Sequence, residues 1–130
     1  MEDSIFSKIV RGDILSHKIY EDERTFVFLD IHPQVKGHAL VVPKAQVEFL
    51  WDLDDADYHA VTETAKKVAL RLRSVLGVPY VGEKVIGVDV PHAHVQLIPF
   101  THAEEYVQMA DMSLESDHAL LAELASKLAF

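Results

Sequence analysis

The chain has 130 residues, 49% of them hydrophobic and 25% charged, the size and composition of one globular domain that buries a core without metal or disulfide staples. Twelve basic against 21 acidic residues leave a net charge of -9, which argues against broad electrostatic binding to nucleic acid or to an anionic membrane. The absence of cysteine excludes a disulfide scaffold, a thiolate-ligated zinc site and a thiol nucleophile together. No run approaches the roughly 18 apolar residues of a membrane span, and the opening Met-Glu-Asp-Ser lacks the basic start of a signal peptide. The expectation is one cytoplasmic domain over 1–130, a body over 1–100 followed by a tail over 101–130.

In chain order, Asp3 or Ser4 caps a short helix whose Phe6, Ile9 and Val10 share a face, and Gly12 stops it. His17 to Glu21 and Thr25 to Asp30 are β-rich runs that form a hairpin around Asp22, Glu23 and Arg24. His38 to Val42 is a third strand between Gly37 and Pro43. Asp54 or Asp55 caps a long helix in which Val61, Ala65, Val68, Leu72 and Val75 or Leu76 recur at helical spacing, with Gly77 as its stop. Tyr80 to Val88 and His92 to Phe100 alternate with period two and read as a hairpin around Asp89 to Pro91. Leu120, Leu121, Leu124 and Leu128 mark a helix in the tail from Ser116 to Phe130. Strands, one crossover helix and two more strands make an α+β fold with a largely antiparallel sheet.

The chemistry concentrates in Pro91-His92-Ala93-His94-Val95-Gln96-Leu97-Ile98-Pro99. Strand alternation puts His92, His94 and Gln96 on one face and Ala93, Val95 and Leu97 on the other. Two imidazoles and an amide in an otherwise apolar strand need partners or a ligand. Three uses fit: a metal site, which the glutamine and the lack of cysteine weaken; a nucleophilic imidazole fixed by its neighbours; or hydrogen-bonded sheet histidines. His17, His32, His59, His102 and His118 share no face and read as surface residues.

That segment resembles the His-x-His-x-His signature of the histidine-triad (HIT) superfamily. The blocks Ile5-Phe6-Ser7-Lys8-Ile9-Val10-Arg11-Gly12, Glu21-Asp22-Glu23-Arg24, Phe28-Leu29-Asp30-Ile31-His32-Pro33-Gln34 and Gly37-His38-Ala39-Leu40-Val41-Val42-Pro43-Lys44 resemble its amino-terminal blocks in order and spacing. The resemblance implies a HIT-like fold of about five mainly antiparallel strands with a short N-terminal, a long central and a C-terminal helix. It further implies a homodimer that binds an AMP- or GMP-type nucleotide and hydrolyses or transfers the nucleotidyl group by attack on the α-phosphate; no metal or cofactor is expected. By position, His94 matches the nucleophile and His92 and His38 the residues that orient it. Asp30 matches the ribose-binding carboxylate, and Phe6, Ile9, Ile14 and Ile31 match the walls of the base site.

The chain departs from the family pattern twice. Gln96 stands at the third triad position, where an amide can donate a hydrogen bond but cannot deliver a proton to a leaving group. Glutamine there resembles the hexose-1-phosphate uridylyltransferases and diadenosine-tetraphosphate phosphorylases, although the amino-terminal blocks look more like the small hydrolase branch and the chain is too short for a two-repeat enzyme. The segment Glu83-Lys84-Val85-Ile86-Gly87-Val88-Asp89-Val90 is shorter than the Gly-rich loop of many relatives and lacks its Asn and Ser/Thr donors. Backbone N–H groups around Gly87 could substitute, with Asp89 facing away from phosphate or binding a sugar or an amine. A non-catalytic nucleotide sensor on the same fold is the alternative reading.

Overall fold

A computed structural model describes residues 2–130. In chain order it contains α1 (Ile5–Arg11), β1 (Lys18–Glu21), β2 (Thr25–Leu29), β3 (Ala39–Pro43), a short 3-10 turn (Leu50–Asp52), α2 (Asp55–Leu76), β4 (Tyr80–Lys84), β5 (Val95–Phe100), α3 (Ala103–Val107) and α4 (His118–Leu128). The five strands form one antiparallel sheet in the order β1-β2-β3-β5-β4, so the fold is α+β as the sequence implies. No helix among the described residues is long and apolar enough to cross a membrane.

Alternation sorts the side chains of each strand between two cores. Val27, Leu29, Ala39, Val41, Val95 and Leu97 join Val61, Ala65, Val68 and Leu72 of α2 and Leu121, Leu124 and Leu128 of α4 in the larger core. On the opposite sheet surface, Phe26, Phe28, Leu40 and Val42 pack with Phe6 and Ile9 of α1. α4 is held from below by Arg71, whose guanidinium donates to the carbonyls of Lys127, Leu128 and Ala129 at 3.0–3.3 Å. A cation on the last carbonyls of a helix also opposes the negative end of its dipole. The helices α2 and α4 therefore cover one sheet surface and leave α1 to define the other.

Several boundaries differ from the sequence expectation. The run from Tyr80 leaves the sheet after Lys84, and the ladder resumes at Val95, so the expected hairpin turn is a connection of ten residues. His92 and His94 thus precede β5, and hydrogen bonds outside the sheet, rather than strand alternation, set their directions. The tail holds a second helix, α3, whose five residues are too few for a periodic apolar signal. His17 and His118, read as scattered, meet with Nε2 and Nδ1 2.9 Å apart.

Candidate active site

Ser4 ends the extended entry into α1 and caps it, its Oγ accepting the Ser7 N–H at 3.0 Å. The same hydroxyl lies 2.8 Å from Nδ1 of His92, which is 0% exposed. The other ring nitrogen, Nε2, is 2.7 Å from the Pro43 carbonyl. A carbonyl only accepts, so Nε2 carries the proton and Nδ1 accepts a hydrogen bond from the Ser4 hydroxyl. Burial holds the His92 pKa below the ordinary imidazole value, which keeps the ring neutral at pH 7. The surrounding backbone is equally tied, with the His92 N–H donating to Val90 and the Ala93 N–H to Val47.

This fixed residue presents its own carbonyl to the next histidine. Nδ1–H of His94 donates to the His92 carbonyl at 2.9 Å, which leaves the lone pair on Nε2. Among the described residues Nε2 of His94 has no hydrogen-bond partner, and no side-chain nitrogen or oxygen is both sealed from solvent and unpartnered. Although the residue is only 7% exposed, its Nε2 is therefore not fully sealed from solvent. Phe6 meets the rings of His92 and His94 edge-on, at centroid distances of 5.8 and 5.1 Å, so α1 fixes both.

His38 follows Gly37, whose φ of +91° and whose closeness to Leu76, 2.6 Å from where a Cβ would lie, require glycine. Nδ1 of His38 accepts the Gln34 N–H at 3.0 Å, so the proton sits on Nε2 and is donated to Oε1 of Gln96 at 2.9 Å. That bond also orients the Gln96 amide, turning its NH2 away from His38 with no partner among the described residues. Oδ2 of Asp30 is 3.7 Å from Nε2 of His38, while its Oδ1 accepts the His32 N–H in a turn at the end of β2. Burial lowers the His38 pKa, outweighing the pull of Asp30 and Gln96 in the other direction. The two outer histidines thus divide their contacts: His92 holds His94, and His38 holds Gln96.

His38, His92, His94, Gln96, Asp30 and Phe6 come together, and Ile9 lies beside Phe6 in the smaller core. The other expected wall residues separate. Ile14, 36% exposed, shares a shallow groove of about 270 Å³ with Ile9 and Phe26. Ile31, 42% exposed, opens onto a different groove of about 410 Å³ between the β2–β3 loop and the tail. Gly87, with φ +76°, and the exposed Asp89 lie in the β4–β5 connection. No group of three or more His, Asp or Glu is placed to hold a metal ion among the described residues.

Ser4, Pro43 and Gln34 are the site components that the sequence pattern did not single out. Ser4 is legible as a helix cap, but its second contact spans 88 positions of chain. Gln34 is buried, and its amide donates to the carbonyls of Glu105 and Tyr106 in α3. Nothing in the local sequence marks such long-range partners.

An antiparallel α+β domain with buried, tautomer-fixed histidines along one sheet surface defines a narrow class of architecture. Residues 11–103 match the HIT domain, and the chain belongs to that family. It is 33% identical over 129 residues to an adenosine 5'-monophosphoramidase of Schizosaccharomyces pombe, covering 95% of this chain and 97% of that one. An adenosine 5'-monophosphoramidase of Saccharomyces cerevisiae is 30% identical over 125 residues, covering 95% and 79% of the two chains. The fold is similar to that of a crystallised Hit-like protein from Bartonella henselae, with a TM-score of 0.81, 27% identity, and coverage of 97% and 94%.

Proposed function

We propose that this chain binds a purine nucleotide conjugate of the AMP or GMP type and hydrolyses or transfers its nucleotidyl group through a nucleotidyl-His94 intermediate. The observation that carries this reading is the tautomer of His94. Nδ1–H is committed to the His92 carbonyl, and the Nε2 lone pair has no partner among the described residues and is not fully sealed from solvent. A neutral imidazole held in one orientation is a ready nucleophile. The names of the two yeast relatives support a phosphoramidase-like reaction.

In the first step the Nε2 lone pair forms a bond to the α-phosphorus and the bond to the leaving group breaks, the leaving group departing with the electron pair. Charge that develops on His94 is stabilised through Nδ1–H by the His92 carbonyl. Water then attacks phosphorus, the phosphorus–nitrogen bond breaks, and its electron pair returns to Nε2 while the water proton passes to solvent. The Gln96 NH2 donates to a phosphoryl oxygen, with its carbonyl end held by His38. Asp30 accepts ribose hydroxyls through Oδ2, Phe6 and Ile9 border the base while Ile14 and Ile31 face separate grooves, and backbone N–H groups around Gly87 reach the phosphate.

The substitution of Gln96 for a third histidine has a kinetic consequence in this reading. A leaving group must take its proton from solvent, so good leaving groups depart readily while basic amines and alcohols lag by about 10²-fold or more. Turnover of AMP and GMP esters and phosphoramidates with leaving groups of graded basicity tests this, together with His94→Ala. The expected result is a steep dependence on leaving-group basicity and no turnover by His94→Ala. Undiminished turnover by that variant would overturn the mechanism. Nucleotide binding without any turnover would instead favour the sensor reading, to which the same Gln96 lends support.

A further inference from the structure

The site described so far lacks a positive charge. His38 and His92 are buried and held neutral, Gln96 is an amide, and Asp30 is anionic, within a chain of net charge -9. A phosphoryl group entering such surroundings would need a cation to offset its charge.

Lys84, the last residue of β4, stands directly across the ladder from Gln96 on β5. Opposed residues of an antiparallel pair project from the same sheet surface with Cβ atoms about 4.5–5.5 Å apart. The lysine therefore shares the surface that carries Gln96. Its ammonium donates to Oε1 of Gln34 and forms no ion pair among the described residues. One of its three N–H donors is used, and the other two have no hydrogen-bond partner among the described residues.

The contact that aims Lys84 is itself fixed. The Gln34 NH2 donates to the Glu105 and Tyr106 carbonyls, so Oε1 can only face the lysine. The Gln34 N–H is also the donor to Nδ1 of His38, whose Nε2–H holds Gln96. Lys84, Gln34, His38 and Gln96 thus form one connected set. Tyr106 closes it on the far side. Its ring occupies the space where a Cβ of Gly82 would lie and sits 5.8 Å from Nζ of Lys84.

Resting on the nucleotidyl-transfer reading above, we propose that Lys84 is the cation of the site and contacts a phosphoryl oxygen of the bound nucleotide, supplying the charge that Gln96 cannot. Lys84→Met, Lys84→Gln and Lys84→Arg in the full chain separate charge from hydrogen bonding and from folding, the last checked by thermal melts. With a fluorogenic AMP phosphoramidate, Met and Gln variants are expected to lose about 10²-fold in kcat/KM, as for loss of one preorganised donor, with Arg retaining most of it. Calorimetry adds a readout that needs no turnover: AMP affinity falls in Lys84→Met while adenosine affinity is unchanged. The proposal is overturned if Lys84→Met matches the parent chain, if Arg is as impaired as Met, or if AMP and adenosine weaken equally. Failure of the parent reading looks different, since His94→Ala would then retain turnover while the AMP-against-adenosine comparison still reports on Lys84.

Discussion

Replacing Ser4 by alanine removes, besides a long 3.3 Å contact to Ser7 Oγ, two hydrogen bonds that meet at one oxygen. The first is the cap of α1, and loss of such a cap costs about 1 kcal/mol. The second satisfies Nδ1 of His92, a fully enclosed ring, and an unsatisfied buried acceptor costs about 1–3 kcal/mol. Ser7 Oγ, 3.4 Å from the same nitrogen, already donates to Gln46 and cannot take over without losing that bond. The sum is about 3 kcal/mol, and with an unfolding entropy near 2.1 cal/mol/K per residue it lowers the Tm of a chain this size by roughly 11 °C. Glycine caps a helix nearly as well as serine, so Ser4→Gly isolates the histidine contribution at about 2 kcal/mol. Urea denaturation followed by circular dichroism measures both variants. A Ser4→Ala chain within about 0.5 kcal/mol of the parent, or full recovery with glycine, would refute the assignment of Ser4 as the donor that fixes His92.

Burial places the pKa values of His92, His38 and His17 below the ordinary value of 6.5, so the native state binds fewer protons than the unfolded chain; the Tm should be steady above that pH and fall on acidification towards pH 5, and a flat or rising profile would contradict this. Gly82→Ala sets a Cβ 1.9 Å from the Tyr106 ring, which must move and break its hydroxyl bond to the Glu83 carbonyl; a loss of about 1–3 kcal/mol is expected by denaturation, and an unaltered midpoint would sink the contact. Leu128→Ala opens a void in the larger core beneath α4 and should cost about 2–5 kcal/mol in urea, whereas a shift below 1 kcal/mol would mean the tail helix is not docked there.

The strands, the capped helices and the two cores were readable because each rests on local periodicity and end signals. Ser4 before Phe6 and Ile9, and Asp54 before the α2 stripe, mark starts, while Gly12 and Gly77 mark stops, and all four act so in the structure. The sequence reads as a tight β4–β5 hairpin because Val85, Ile86, Val88 and Val90 continue the apolar pattern after the chain leaves the sheet beyond Lys84. The His92-Ala93-His94 segment was legible as chemistry but not as geometry. Its orientation depends on Pro43, Val47 and Ser4, which are remote in sequence. Gln34 and Lys84 were invisible as site components for the same reason: a lone glutamine and a strand lysine carry no pattern, and only the register of β4 on β5 and the closeness of α3 bring them beside Gln96.

The central claim is that the open nitrogen of His94 takes the nucleotidyl group, and rapid-quench intact-mass analysis during turnover of an AMP conjugate measures it most directly. The account expects one adenylyl group per chain, mapped by fragmentation to His94, absent in His94→Ala and shorter-lived in Gln96→His. An adduct on any other residue, or turnover at the parent rate in His94→Ala, would contradict it.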